Sequence, residues 1–400
     1  MTLTTHPYAP QIRLLLRAAL LVFVVTVVIG ILNGTDLVEF GHQPLLTHVH
    51  TGTLGWITTS VFAASLWLFG AERGLGWRDT FARVLPGATV VAVVAYNLAF
   101  LTTSGLVRPL LGSFMFLVIA GWLAWIATAL RGNILSVPRL GLLAAVTTAA
   151  FGGLLGVLLG VMLATGNKIL PGDAYGSHPA TMVIGFLIPA GMALAEWHLR
   201  PELLDVPATR AGRLQVLLPF VGGLCVTVGL LADSVPLVSL SLPFEIVGVG
   251  IMFFRLWPGI RRVEMGSGSS AVLAAPTPFW LVFNIGLLVY LIANYAEDFS
   301  QVPLGLLLGL DHAMFIGVMT NSLFAQARAA AGEHVRAAAV RVLGLAVNIG
   351  LAGFVVGLIA EEAILKRIFT TIMGLGLLHG VATLTIALGK KPVPSSGPSH

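Results

Sequence analysis

Long apolar runs separated by short polar connections make up most of the chain. A helix needs about 20 residues, at about 1.5 Å each, to cross roughly 30 Å of hydrocarbon. Twelve runs reach that length, so the pattern predicts an all-α bundle of twelve transmembrane helices. The predicted spans are 13–32, 46–69, 81–102, 109–130, 140–165, 177–198, 213–232, 237–257, 278–296, 303–325, 338–360 and 367–388.

The composition agrees with this pattern. Charged residues make up 10% of the chain and the mean hydropathy is +0.94, whereas soluble domains carry roughly 25% charge. The expected partner is therefore the lipid bilayer, and the net charge of +5 does not require a nucleic acid. Residues 389–400 are rich in Pro and Ser and are predicted to form a disordered cytoplasmic tail.

The basic residues are distributed unevenly between the two sides of the membrane. If the amino terminus is cytoplasmic, all but four of the 22 Lys and Arg residues fall on the cytoplasmic side. The positive-inside rule then predicts an inner-membrane protein with both termini in the cytoplasm. The four exceptions are Arg108, Lys168, Lys366 and Arg367.

A repeat of about 130 residues accompanies the spans. His48 and His178 are 130 residues apart, and each is followed seven residues later by Gly and an aromatic residue, while His312 lies 134 residues beyond His178. These histidines fall on spans 2, 6 and 10, so one membrane domain of three four-helix groups is expected. The groups are residues 1–135, 136–265 and 266–388.

Ionisable side chains within spans are costly unless they have partners, so they are candidates for function. Imidazole is a common ligand of haem iron, copper and zinc. His48 and His50 are two residues apart, about 200° around a helix, so they cannot face the same metal. The candidates are His48, His50, His178, Glu245, Asp311, His312 and His379.

The spacing of the histidines from glycine suggests how they pair. His50 and His312 each precede a glycine by five positions, whereas His48 and His178 each precede one by seven. We therefore predict that His50 and His312 are the axial ligands of a b-type haem. His48 and His178 are then assigned to a second, outer metal site, with copper as the candidate. The alternative is that each histidine only joins neighbouring helices by hydrogen bonds.

Several other polar residues are candidates for supporting roles. Lys366 and Arg367, at the outer mouth of span 12, could pair with haem propionates or anchor the helix, and Glu361 and Glu362 lie near enough to neutralise them. Three residues are candidates for a proton path, with structural roles as the alternative: Glu245, Asp311 and His379. Five histidines are expected to be solvated: His6, His42, His198, His334 and His400.

These residues resemble the haem-copper oxidase subunit I-like superfamily, and most closely its smaller NnrS-type members, which bind haem and copper. The NnrS-type pattern H-x-H-x(4)-G matches His48, His50 and Gly55, and the later H-A-x(3)-G matches the segment that begins at His312. The resemblance implies twelve helices in three groups of four, with histidines on helices 2 and 10. It also implies a role in nitric oxide or redox handling or sensing.

The departures from the superfamily limit what the resemblance implies. Oxidases of the superfamily carry copper-binding histidines on helices 6 and 7 and two histidines on helix 10, but span 7 has no histidine here and span 10 has only His312. The expected function is haem binding without a complete oxygen-reducing copper site. A small gaseous or redox ligand and an electron-transfer partner protein are the expected partners, and any enzyme activity would be that of an oxidoreductase. The alternatives are a secondary transporter and a cofactor-free subunit of an electron-transfer complex.

Overall fold

The computed structural model describes residues 3–71, 75–103 and 105–390, and these residues contain twelve long apolar helices and no strand. The prediction of an all-α, multi-pass membrane protein is therefore confirmed. The predicted disordered tail lies outside the described residues, apart from Gly389 and Lys390. The helices are α1 Ala9–Gly34, α2 His42–Phe69, α3 Trp77–Thr102, α4 Val107–Gly132, α5 Val137–Thr165, α6 Ala174–Leu199, α7 Arg210–Leu231, α8 Val235–Ile260, α9 Ser270–Tyr295, α10 Leu304–His334, α11 Ala337–Ile359 and α12 Ala363–Gly389.

Three of these helices, α2, α6 and α10, lie at the centre of the described part of the bundle. The other nine surround them in the order α1, α3, α4, α5, α7, α8, α9, α11 and α12, and α12 packs against α1 to close the ring. The central helices are also the least apolar of the twelve. Helices that face protein rather than lipid can carry such polar residues, so the architecture explains where the candidate histidines lie.

Each central helix widens into a π-helical segment part-way along its length. π-Helical turns are frequent at functional sites because the extra residue interrupts regular helix geometry. When the three segments are aligned at their first residues, His48 and His178 share one position, and His50 and His312 share another position two residues later. The segments are Thr51–Thr58, Thr181–Leu187 and Ala313–Thr320.

One helix-packing contact recurs in all three groups and supports this register. In each group a side chain of the preceding helix covers a glycine of the central helix, and a Cβ added there would lie 2.3 or 2.4 Å from that side chain. Such close approach requires glycine. The pairs are Gly55 with Val22, Gly185 with Thr148 and Gly317 with Trp280.

The two ends of the bundle differ in how tightly the central helices are packed. We call the end where α1 ends and α2 begins the histidine end, and the opposite end the terminal end. Every residue of 54–69, 185–199 and 317–327, which form the terminal half of the central helices, is buried. The histidine half is looser, and all four candidate imidazoles in it are half-buried.

The start of α2 changes the depth of its histidines. The helix begins at His42, four residues earlier than predicted, and Pro44 occupies its first turn, where proline is compatible with a helix. His50 lies eight residues into α2, as His312 does into α10, which places both about 12 Å from the helix start. His48 is therefore about 9 Å deep, not at the rim as the predicted span suggested.

Candidate functional site

His48 and His178 make the same hydrogen bond to the helix that precedes them. The Nδ1 atom of His48 donates to the backbone oxygen of Thr26 on α1 at 2.9 Å, and that of His178 donates to the backbone oxygen of Gly152 on α5 at 2.9 Å. A carbonyl only accepts, so in the neutral ring the proton is on Nδ1 and Nε2 keeps its lone pair.

Glycines on α1 and α5 make room for these two rings. A Cβ added to Gly30 would lie 3.1 Å from Cε1 of His48, and a Cβ added to Gly156 would lie 2.8 Å from Cε1 of His178. Each imidazole therefore lies against bare helix backbone. The rings are therefore confined on the side that faces the preceding helix.

His50 and His312 are held by their own helices. The Nδ1 atom of His50 donates to the Leu46 oxygen at 2.8 Å, and that of His312 donates to the Leu308 oxygen at 2.7 Å. In the described ranges, the Nε2 atom of each of the four histidines has no hydrogen-bond partner. Histidines that bind metal typically donate their other ring N–H to a carbonyl or carboxylate in this way.

Aromatic side chains of the outer helices pack against the second pair of rings. Phe100 of α3 stacks on His50 with ring centroids 3.8 Å apart, and Tyr96 meets the same imidazole edge to face at 6.2 Å. Phe354 of α11 meets His312 edge to face at 4.9 Å. The rings that are bonded to their own helices are thus walled by apolar surface.

The surroundings of the four imidazoles divide them into two pairs. His48 lies against α1 and His312 against Phe354 of α11, and α12 packs against both α1 and α11. His178 lies against α5 and His50 against Phe100 of α3, and α4 packs against both α5 and α3. We call the first pair site 1 and the second pair site 2.

This pairing differs from the one inferred from spacing, which joined His50 to His312 and His48 to His178. That inference matched equivalent positions of the repeat. The three four-helix groups, however, follow one another around the central helices with an approximate threefold axis. Equivalent residues around such an axis point in the same rotational sense, so each faces a non-equivalent position of its neighbour. The two sets of equivalent histidines therefore contribute one ring each to both sites.

The cations predicted near a haem lie at the histidine end of site 1. Lys366 and Arg367 begin α12 and form ion pairs of 2.7 and 2.9 Å with Asp36, just after α1. Their hydrogen bonds and positive charges lower the pKa of Asp36. These ion pairs thus use Asp36 rather than Glu361 or Glu362, the partners suggested by the sequence.

Arg108 holds the corresponding place beside site 2, near the start of α4. Its guanidinium donates to the backbone oxygens of Ala99 and Phe100 at 3.3 and 3.2 Å and lies 5.4 Å from the centre of the Phe100 ring. From the sequence, Arg108 was identified only as one of the four basic residues that do not fall on the cytoplasmic side. Arg108 stands at the start of the fourth helix of its group, as Lys366 and Arg367 do in theirs. This shared position could have indicated from the sequence that Arg108 lies beside a site.

The third gap, between α6 and α10, has neither histidines nor a neighbouring cation. Ala180 and Leu310 occupy its equivalent positions, and Asn284 of α9 donates to the Leu310 oxygen at 2.7 Å. The first basic residue of α8, which flanks this gap, is Arg255, near the terminal end. The imidazole pairs and the cations are therefore present or absent together.

The three candidates for a proton path lie on different helices. Glu245 is buried, with Ser241 donating to Oε1 at 2.5 Å, while Oε2 has no partner among the described residues. Asp311 is half-buried beside His312, and His379 donates to the Ala339 oxygen at 3.3 Å near the terminal end. No hydrogen bond in the described ranges links the three, so the path remains a prediction.

Two histidines expected to be solvated are instead buried at the terminal end. His198 is 7% exposed and His6 is 4% exposed. His6 donates through Nε2 to the Trp67 oxygen at 3.0 Å, and its Nδ1 accepts the Tyr8 N–H at 3.1 Å. The prediction of solvation was wrong for these two residues because helices distant in sequence cover them.

Sequence reasoning also missed a buried charge cluster at the terminal end. Glu196 of α6 is fully buried and accepts hydrogen bonds from both terminal nitrogens of Arg255 at 2.7 and 2.9 Å. Gln215 of α7 donates to the same carboxylate at 3.1 Å and accepts from Arg255. This cluster joins α6, α7 and α8 and leaves no charge unpaired.

No protein-family model and no curated protein matches the chain. Within the described ranges, no group of three or more His, Cys, Asp or Glu side chains could hold a metal ion. The two imidazole pairs are therefore the basis for a functional proposal.

Proposed function

We propose that this chain is a membrane redox protein that binds b-type haem at site 1, between His48 of α2 and His312 of α10. The observation that carries the proposal is a pair of imidazoles on two helices in contact, each with Nδ1 bonded to a carbonyl and Nε2 without a partner among the described residues. Such preset rings suit axial ligation, because the second hydrogen bond fixes both the tautomer and the orientation.

The number of ligands favours haem over a protein-bound metal ion. A zinc site requires three or four protein ligands, and biological copper sites are similarly built from several side chains. Haem requires only two axial ligands because its porphyrin supplies the other four nitrogens. The chain has one cysteine and no C-x-x-C-H sequence, so the haem would be held without a thioether bond.

The surroundings of site 1 also fit a flat, partly anionic group. Gly30 leaves the His48 ring against bare backbone, and Phe354 adds an apolar wall beside His312. Lys366 and Arg367 at the mouth would pair with the propionates, in competition with Asp36.

Bound haem with two imidazole ligands supplies one-electron transfer. Because His48 and His312 would together hold the group, this pair favours redox exchange or redox sensing over the binding of a gas. The resemblance to NnrS-type proteins of the haem-copper oxidase subunit I-like superfamily agrees with a redox role.

The packing of the central helices gives less support to the transporter alternative. Transporters expose a site near the midplane alternately to the two sides. Here the terminal half of all three central helices is closed, whereas the imidazoles lie in the histidine half. From the Lys and Arg distribution we place both termini in the cytoplasm and the imidazoles in the outer half of the inner membrane. An electron-transfer partner would then dock at the outer surface.

The test is the haem content of the detergent-purified protein and of His48→Ala and His312→Ala variants. Each variant should lose one b-type haem per chain by pyridine haemochrome assay, because it removes one of the two side chains that hold and orient the group. His379→Ala, at a half-buried histidine of α12 away from both sites, is the matched control and should keep the wild-type content. Full haem content in both site variants would contradict the assignment.

A further inference from the structure

Site 2 repeats the construction of site 1 almost feature by feature. His178 lies against Gly156 and bonds to the carbonyl of the preceding helix, as His48 does with Gly30 and Thr26. The opposing ring in each site is bonded to the carbonyl four residues earlier in its own helix. These are the same contacts, displaced by one position around the threefold axis.

The walls of the two sites correspond as well. A phenylalanine of the third helix in the group packs against the opposing imidazole, Phe100 in site 2 and Phe354 in site 1. A cation stands near the start of the fourth helix, Arg108 in site 2 and Lys366 with Arg367 in site 1.

The third gap shows that these features are not required by the fold. It has the same π-helical segments and the same glycine packing on α6 and α10. Its two inward positions are nevertheless Ala180 and Leu310, and α8 has no cation near its start. The imidazole pair and the cation therefore occur together in two gaps and are both missing from the third.

We infer that site 2 binds a second b-type haem, with His50 and His178 as axial ligands and Arg108 near its propionates. This inference rests on the proposed function of site 1, because it transfers the same ligand to an equivalent set of contacts. Copper, the metal expected from the sequence for His178, fits less well, since site 2 offers only two imidazoles where a copper site needs further ligands.

The two sites share α2, and this helix determines how far apart they lie. His48 and His50 project from opposite sides of one helix, so the sites are separated by α2, whose diameter is about 10 Å. Both sites lie in the histidine half, at similar depth in the membrane. The arrangement predicts two interacting redox centres side by side in the membrane plane, not a chain of centres across it.

The experiment compares haem and copper per chain in the wild type, His178→Ala, His50→Ala, His312→Ala and the double variant His178→Ala with His312→Ala. We expect two haems in the wild type, one in each single variant, none in the double variant and no stoichiometric copper. Leu310→Ala, at the position equivalent to His178 in the third gap, should keep two. A potentiometric titration of the wild type should resolve two components.

The outcomes separate the two proposals. One haem in the wild type, retained in His178→Ala and lost in His312→Ala, would overturn the second site and leave site 1 intact. Copper that is lost in His178→Ala while haem is unchanged would also overturn it. No haem in the wild type would overturn both. If His178→Ala fails to fold, the stoichiometry and titration of the wild type decide: one haem with a single component contradicts the inference.

Discussion

The terminal half of α2, α6 and α10 is closed on all sides, whereas the histidine half leaves four imidazoles half-buried between the helices. In the terminal half, Trp56 donates to Thr320 at 3.1 Å across α2 and α10, although three buried polar atoms there have no partner among the described residues: Ser60 Oγ, His198 Nε2 and Gln326 Oε1. In the other half, each of the four half-buried histidines has one ring nitrogen without a partner in the described part of the chain. The comparison shows one helix trio divided between a closely packed base and a region with unused ligand capacity.

The buried pairs explain how the closely packed base accommodates polar side chains. Hydrocarbon offers no water to satisfy polar groups, so they must find partners inside the protein. Glu196, Arg255 and Gln215 do so at the terminal end of α6. We therefore expect substitutions in the base to change stability, and substitutions in the histidine half to change ligand content.

The largest expected effect on stability comes from Glu196→Ala. Removing one partner of a buried ion pair leaves an uncompensated charge on Arg255 and typically costs about 3–5 kcal/mol. Thermal unfolding in detergent should show this loss, while the haem content of the molecules that fold stays unchanged. Glu202→Ala is the control, because Glu202 pairs with Arg200 at the surface, where such pairs contribute about 0–1 kcal/mol. If Glu196→Ala is as stable as the wild type, this cluster does not stabilise the terminal half.

An intermediate effect is expected from Gly156→Ala. The new Cβ would lie 2.8 Å from the His178 ring, and overpacking of this kind costs about 1–3 kcal/mol. Displacement of His178 should lower haem occupancy at site 2 and leave site 1 intact, as measured by haem stoichiometry. Gly30→Ala, with a gap of 3.1 Å to His48, should have a smaller effect on site 1.

The control for these glycine variants is Gly250→Ala on α8, where an added Cβ meets nothing within 4 Å. It should bind haem as the wild type does. Unchanged occupancy of both sites in Gly156→Ala would show that the ring position does not depend on this glycine.

Much of the fold could be predicted from the sequence because a lipid environment imposes long apolar runs. The repeat of histidines could also be predicted, since His48 and His178 keep the same distance from a glycine. Their partners could not, because spacing along one chain says nothing about which way equivalent residues turn around an axis. The burial of Glu196 was equally hidden, since Arg255 lies 59 residues away on another helix.

The smallest expected effect is the pH dependence of stability that comes from His6 at the terminal end. Burial is the main cause that lowers the pKa of His6 below its usual 6.5, so the folded protein binds fewer protons there than the unfolded chain. The stability contributed by His6 is therefore fully present above about pH 6.5 and is lost as the pH falls through the folded pKa. We expect melting temperatures to drop between pH 7.5 and pH 5, and His6→Gln to reduce that drop.

His42→Gln, at an exposed position at the histidine end, is the control for this pH effect and should leave the drop as it is in the wild type. An unchanged pH dependence in His6→Gln would mean that the buried ring does not contribute to it.

The most direct test of the account is a reduced-minus-oxidised absorption spectrum of the wild-type protein, purified in detergent from haem-replete cells, with haem counted per chain on the same sample. We expect a b-type spectrum and two haems per chain, held in the histidine half. A folded but colourless protein would contradict the account and would make the transporter the leading alternative.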